Sequence, residues 1–234
     1  MSNDAVAAVL ARTSAVLART SAVLLDFDGP ICSVFSAFSP AAVAEELRAR
    51  LKLVDAPTTS EPFEILSYVA RSEPSVGPRA EAELALLETR AVAQARPTPG
   101  AAALLQHLDD SGRPVVVVSN NSVAAIWSYL DQHDLARYVA AVSARIEPDP
   151  NLLKPDPHLL FRAAEILGLG IRGCAMVGDS STDIAAAHAA GAPVIAYANK
   201  SGKRERFERL RPDAIIDDMA ELATVGLRRT SKVR

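Results

Sequence analysis

Short apolar runs recur along this chain, each ending in polar or turn-forming residues, at positions 22–27, 114–119, 174–177 and 194–198. Runs this short, without a polar residue at every second position, are what a strand buried on both faces requires. Between and beyond them lie stretches of helical character at 100–110, 122–133, 157–167 and 181–190. Alternating strand and helix predicts an α/β fold in which helices cover both faces of a parallel sheet. Two further strands are expected at 139–144 and 214–216.

Residues 33–96 interrupt this rhythm. They hold no convincing strand and instead offer three helix-like segments, 40–53, 61–71 and 78–96, separated by proline-containing breaks. Residues 33–39 on one side and Arg96-Pro97-Thr98-Pro99-Gly100 on the other have linker chemistry. The expected organisation is an inserted helical subdomain at 33–96, within a core formed by 21–32 and 97–234. Residues 1–20 form an extension in which VLARTSA at 9–15 is repeated letter for letter at 16–22. Two seven-residue copies are too few for a solenoid or a sustained coiled coil, so a loosely ordered or helical arm is expected.

A formal net charge of -3 leaves no broad basic field, which argues against nucleic acid as a partner and favours a small ligand. No apolar run is long enough to cross a bilayer, so no membrane partner is expected either. Cys32 and Cys174 fit no metal-ligand spacing and read as buried thiols. The amino terminus lacks the marks of a secretory signal, and the expected location is the cytoplasm. Oligomeric state is left open.

Four motifs carry chemistry. Asp26-Phe27-Asp28-Gly29 follows an apolar run directly, placing two carboxylates at a strand's carboxyl end, where open α/β sheets bind ligands. The same pattern also occurs in calcium loops and ordinary turns. Ser119-Asn120-Asn121 ends the run VVVV; it offers a hydroxyl and amides for a phosphate, or equally a helix cap. Lys154 precedes Pro155 and Pro157, which restrict the backbone around it, although a lysine is ordinarily solvated. Asp179 and Asp183 lie four residues apart after a further strand, within a stretch whose serines also suit a helix amino terminus.

All four sit at expected strand ends or helix starts and supply complementary parts of one site: acids, a hydroxyl and a cation. In order and approximate spacing they resemble the haloacid dehalogenase-like superfamily, and the resemblance runs from residue 22 to about 218. It points to the capped phosphatase type, of the phosphoglycolate phosphatase and β-phosphoglucomutase kind. It implies a Rossmann-like parallel sheet core in which residues 33–96 are an inserted all-helical cap domain. It also implies a Mg²⁺ cofactor and a small phosphorylated metabolite as substrate, hydrolysed through an aspartyl phosphate. Carried over by position, Asp26 is the nucleophile and Asp28 the general acid and base. Ser119, Lys154 and, as an additional contact, Asn120 hold the phosphate. The metal falls to the Asp26 carboxylate, the Asp28 main-chain carbonyl and Asp179, with Asp183 as a supporting acid.

Asp28 favours phosphate esters over carbon–halogen bonds, because only an alkoxide leaving group needs a proton. Phosphonate cleavage needs a cap lysine, and Lys52 alone is present in 33–96. A phosphomutase of the same superfamily and a non-catalytic phosphate-binding module remain the alternatives. Pro30 departs from the family pattern, removes a backbone donor and is expected to alter the turn while leaving activity. The four histidines fall in helix-like stretches and read as surface or packing residues, and Trp127 reads as core.

Overall fold

The computed structural model describes residues 3–227, with side chains from residue 8 onward. Residues 1–2 of the expected extension and 228–234 of the expected core lie outside the described residues. Helix α1 (Asn3–Ala18) leads into β1 (Ala22–Leu25) and the short β2 (Cys32–Ser33). Three helices follow, α2 (Pro40–Leu51), α3 (Pro62–Ser72) and α4 (Gly77–Val92), before β3 (Arg96–Pro97). The rest alternates through α5 (Ala101–Asp110), β4 (Val115–Ser122), α6 (Val123–Gln132), β5 (Ala141–Arg145) and α7 (His158–Ile166). It ends with β6 (Cys174–Gly178), α8 (Ser181–Ala190), β7 (Val194–Tyr197), α9 (Lys203–Leu210), β8 (Ala214–Ile216) and α10 (Ala220–Ala223).

Six strands form one sheet in the order β5-β4-β1-β6-β7-β8, and every neighbouring pair is parallel. Both faces are buried, as the apolar runs require. Val23, Leu25, Val115, Val117, Ala175, Val177 and Ile195 face one cluster, with side chains of α1, α5 and α6. The intervening Ala22, Leu24, Val116, Val118, Cys174, Met176 and Val194 face the other, with α7, α8 and α9.

The segments with linker chemistry do more than connect. Cys32 pairs with Pro97 and Ser33 with Arg96, so the two crossings into and out of the helical insertion are stapled together as a short antiparallel ladder. Within the insertion, α2, α3 and the first part of α4 bury their own cluster, which includes Leu47, Ile65, Leu66, Val69, Leu84 and Leu87. Further along α4, Ala91 and Val92 belong instead to the cluster beneath the sheet. A single helix is thus shared between the two apolar cores.

The arm at the amino terminus is helical and packed. Val16 and Leu17 are buried with the core of the sheet, and α1 lies against β7 and β8. The duplicated heptad keeps one face in register across two turns. Thr13 and Thr20 each return a hydroxyl to the carbonyl four residues back, at 2.9 and 3.2 Å. The buried Arg113, just before β4, donates from Nη1 to the carbonyls of Leu17 and Thr20, the latter at 2.8 Å, and so satisfies groups at the carboxyl end of α1.

That cap is worth roughly 2 kcal/mol, the range for hydrogen bonds from a charged donor. Arg113→Met is therefore expected to lower the unfolding midpoint by several degrees in a calorimetric scan; an unchanged midpoint would show that α1 does not rely on this side chain.

Candidate active site

The chain passes from β1 to β4 and β5 on one side, then crosses back to β6 on the other side of β1. This reversal opens a crevice at the carboxyl ends of β4, β1 and β6, where a doubly wound sheet accommodates a ligand. Asp26 stands in its middle, one residue past β1, and its N–H donates to the Val177 carbonyl of β6 at 2.9 Å. Asp26 Oδ1 accepts the Phe27 N–H at 2.8 Å and the Lys154 ammonium at 2.8 Å. No described hydrogen bond engages Oδ2.

After Asp26 the chain turns sharply: the N–H groups of Ile31 and Cys32 both donate to the Phe27 carbonyl, and Gly29 N–H donates to Cys32 O at 2.7 Å. Pro30 sits inside this turn, which closes without a donor from it. Asp28 leaves the line of the strand, and its Oδ1 accepts the Val34 N–H at 2.9 Å. Its carboxyl is pushed up to about 6, by burial first, with Val34 opposing and the Asp179 charge adding. Gly29 adopts φ +111°, and a Cβ there would lie 2.2 Å from Asp179 Cγ. Only a residue without a side chain lets the Asp179 carboxylate approach the β1 turn so closely. Thr98, after the short ladder, donates to the Gly29 carbonyl at 2.5 Å and fixes that turn from behind.

At the end of β4 the pairing register with β5 shifts between Ser119 and Ser122, the kind of irregularity that re-aims side chains at a sheet edge. Ser119 is buried, its hydroxyl donating to Asn121 Oδ1 at 3.2 Å. Asn120 clasps the backbone of Lys154 from both sides: its Oδ1 accepts the Lys154 N–H at 2.8 Å and its Nδ2 donates to the Lys154 carbonyl at 3.0 Å. The Lys154–Pro155 peptide is cis. Lys154 reaches inward and places all three of its donors, on Asp26 Oδ1, on Asp183 Oδ1 at 2.6 Å and on the Val118 carbonyl at 2.9 Å.

After β6, Ser180 and Asp183 form a reciprocal cap of α8. The Asp183 Oδ2 accepts from both the N–H and the hydroxyl of Ser180, while its Oδ1 faces Lys154. Capping and ion pairing are thus divided between two oxygens of one carboxylate. Gly178 makes room for it, since a Cβ there would lie 2.4 Å from Asp183 Cγ. Asp179 Oδ2 accepts from Asn199 Nδ2 at 2.9 Å and from Lys203 Nζ at 2.6 Å.

Oxygens of Asp26, Asp179 and Asp183, all buried, lie within 4.8 Å of one another. Burial, and next the Asp183 charge, push Asp26 well above the usual carboxylate range, while Lys154 pulls the other way. Lys154 shows the reverse balance: burial disfavours its charge, but Asp183 and Asp26 outweigh burial and raise it. Three carboxylates face two ammonium groups, so with all of them ionised the acids carry one negative charge more than the cations beside them, with Asp28 nearby. An oxygen-only donor set with surplus negative charge suits a hard divalent cation such as Mg²⁺. The Asp28 carboxylate, turned toward Val34, is not part of this side-chain cluster.

Of the residues named from the sequence, Asp26, Lys154 and Asp183 are joined by hydrogen bonds, Asp179 completes the carboxylate cluster and Asn120 is joined to Lys154, whereas the described side-chain partners of Asp28 and Ser119 are Val34 and Asn121. The Asn120 side chain is committed to the Lys154 backbone, so its part here is to hold Lys154. Asn199 and Lys203 escaped sequence reading. They follow β7 in a stretch, Asn199-Lys200-Ser201-Gly202-Lys203, whose residues are ordinary for a loop, and only the sheet order brings them to Asp179.

Residues 20–191 match the family model described as haloacid dehalogenase-like hydrolase. A phosphoglycolate phosphatase of Neisseria meningitidis serogroup A is 33% identical over 130 residues, 54% of this chain and 54% of that protein. One from Escherichia coli K12 is 31% identical over 124 residues, 53% of this chain and 48% of that protein. The chain spans about half the length of the curated relatives it matches. Among solved structures, CbbY from Rhodobacter sphaeroides in complex with phosphate aligns with a TM-score of 0.64 at 19% identity, covering 87% of this chain and 96% of that one. A putative phosphoglycolate phosphatase from Lactobacillus plantarum aligns at 0.67 and 16%, covering 88% and 99%. At these identities the structures speak for the fold alone.

The close approach at Gly29 yields a direct expectation. Gly29→Ala forces Asp179 away and strains the turn, costing about 2 kcal/mol or more of stability. Titration calorimetry with Mg²⁺ is expected to show binding weakened by about tenfold relative to the parent protein, a change of ~1.4 kcal/mol; equal affinity would remove Asp179 from the ion's surroundings.

Proposed function

Because the chain belongs to the haloacid dehalogenase-like hydrolase family, we propose that it removes phosphate from a small soluble phosphate monoester by way of an aspartyl phosphate. The observation that carries this reading is the Lys154 ammonium, held between Asp26 and Asp183 at the end of the central strand, with Asp179 alongside.

Asp26 is the nucleophile: Oδ1 is held by Phe27 N–H and Lys154, which leaves Oδ2 to attack phosphorus. As the phosphorus–oxygen bond to the leaving group breaks, Asp28 delivers a proton to the departing alkoxide. A carboxyl raised to about 6 carries that proton more readily than an ordinary aspartate does. Asp28 then takes a proton from water, which attacks the aspartyl phosphate and releases inorganic phosphate. Splitting one slow displacement into two is the gain from covalent attack. When an ester binds, the Ser119 hydroxyl turns from Asn121 Oδ1 and the Lys154 ammonium gives up one of its three acceptors to hold phosphoryl oxygens, and Asn120 contributes by fixing the Lys154 backbone.

Asp26, Asp179 and the Asp28 main-chain carbonyl would hold Mg²⁺, which when bound supplies positive charge to draw in a dianionic ester and to stabilise charge on the phosphoryl group in transfer. Asp183 supports the arrangement by anchoring Lys154. We read residues 33–96 as the cap, its helices shielding the crevice from bulk water. Phosphoglycolate is the first substrate to test, since relatives matched over about half their length carry that name. The two buried, unpaired thiols suit a reducing, cytoplasmic setting.

Release of inorganic phosphate from para-nitrophenyl phosphate and from a panel of glycolate, sugar and nucleotide phosphates tests the proposal. Activity is expected with Mg²⁺, to vanish on chelation and to return when the ion is restored. Asp26→Asn should lower kcat about a thousandfold or more. Turnover equal to the parent would exclude Asp26 as nucleophile, and isomer formation without free phosphate would identify a mutase instead.

A further inference from the structure

Behind the groups assigned to phosphate lies a charge network that the chemistry above does not use. Arg145 ends β5 and Glu88 lies on α4, and both side chains are fully inaccessible. Glu88 Oε2 accepts from Arg145 Nη2 at 2.5 Å and from Ser122 N–H at 2.8 Å, and its Oε1 accepts from Asn121 Nδ2 at 3.1 Å. Arg145 Nη1 pairs with Glu81, two turns earlier on α4. Arg145 Nε donates to the Asn120 carbonyl at 2.9 Å.

Two lines run from this network into the site. From Glu88 the first passes through the Asn121 amide to the Ser119 hydroxyl. The second leads from Arg145 to the Asn120 main chain and, through the Asn120 side chain, to both backbone groups of Lys154. An ion pair this deeply buried adds little net stability, because desolvating both charges offsets their attraction. Its geometry has a consequence that stability does not: the two groups assigned to phosphate are oriented from a helix of the insertion.

We propose that Glu88 and Arg145 are positioning residues which aim Ser119 and Lys154, so that the phosphate cradle is set by how α4 docks on the sheet. The proposal rests on the assignment of Ser119 and Lys154 to phosphate. A guanidinium serves three acceptors in fixed directions, Asn120 O, Glu88 and Glu81, which a lysine cannot reproduce. Arg145→Lys thus keeps the charge while breaking the line to Asn120.

The test combines para-nitrophenyl phosphate kinetics with hydrogen exchange at the Lys154 amide in the unliganded protein. In Arg145→Lys, kcat should fall about tenfold or more from misplacement alone. The Lys154 amide should exchange about tenfold faster while the Met176 amide, in the core of the sheet, is unchanged. Adding Arg145→Lys to Asn120→Ala should lower kcat by no more than about twofold further, because both act along one line. Should Arg145→Lys not fold, Glu81→Gln, at the more exposed end of the network, carries the same measurements with smaller effects of the same sign. Unchanged Lys154 exchange, kcat within about twofold of the parent, or losses that multiply in the double variant would each overturn the proposal. A parent protein without phosphatase activity would instead count against the proposed function, and the exchange measurement would still decide whether this network holds Lys154.

Discussion

A buried ammonium group needs partners for all three of its hydrogens, and the partners of Lys154 lie on or after three different strands. Asp26 follows β1, Val118 belongs to β4 and Asp183 follows β6. Satisfying Lys154 therefore demands that Asp26, Val118 and Asp183 be brought together by these strands in one order and register, and an all-parallel sheet with β1 between β4 and β6 meets the demand. The reverse also holds. Carboxylates this close would repel one another strongly in a buried crevice, and Lys154 and Lys203 are what make the convergence tolerable. Sheet order and site electrostatics are two aspects of one constraint.

Steric room is the second requirement. Gly29 and Gly178 face the carboxyl groups of Asp179 and Asp183 at distances no Cβ permits, so the acids are packed against backbone rather than against side chains. The short ladder between Cys32–Ser33 and Arg96–Pro97, with Thr98 gripping the Gly29 carbonyl, keeps the β1 turn in place where the helical insertion leaves the core. The insertion is consequently not a loose appendage. Its last helix buries Leu84 and Leu87 among the insertion's own helices, then Ala91 and Val92 beneath the sheet, and it carries the acids that hold Arg145.

Much of this was legible in the residues. Unbroken apolar runs at β1, β4, β6 and β7 announce strands covered on both faces, because only such strands dispense with alternation. Polar residues directly after those runs announce a site, because strand ends are where a parallel sheet exposes side chains to a ligand. The insertion's helices could also be placed from their proline breaks. Other features left no trace. The heptad copies in α1 gave no sign of how firmly Val16 and Leu17 are packed, since their partners on β7 and β8 lie nearly two hundred residues downstream. Asn199, Lys203, Glu88 and Arg145 belong to no motif, and only the contacts made after folding show what each of them holds.

The dividing line has a physical cause. Periodicity and turn chemistry act between near neighbours in the chain, so the strands, the helices and the identity of the acids and the lysine could be taken from the sequence by itself. What a polar side chain does depends on which donor or acceptor lies within about 3 Å of it, and that is settled only when distant segments meet. Folding thus decided that Asn120 serves Lys154, that Lys203 steadies Asp179, and that an arginine at the sheet edge is bound to a helix of the insertion.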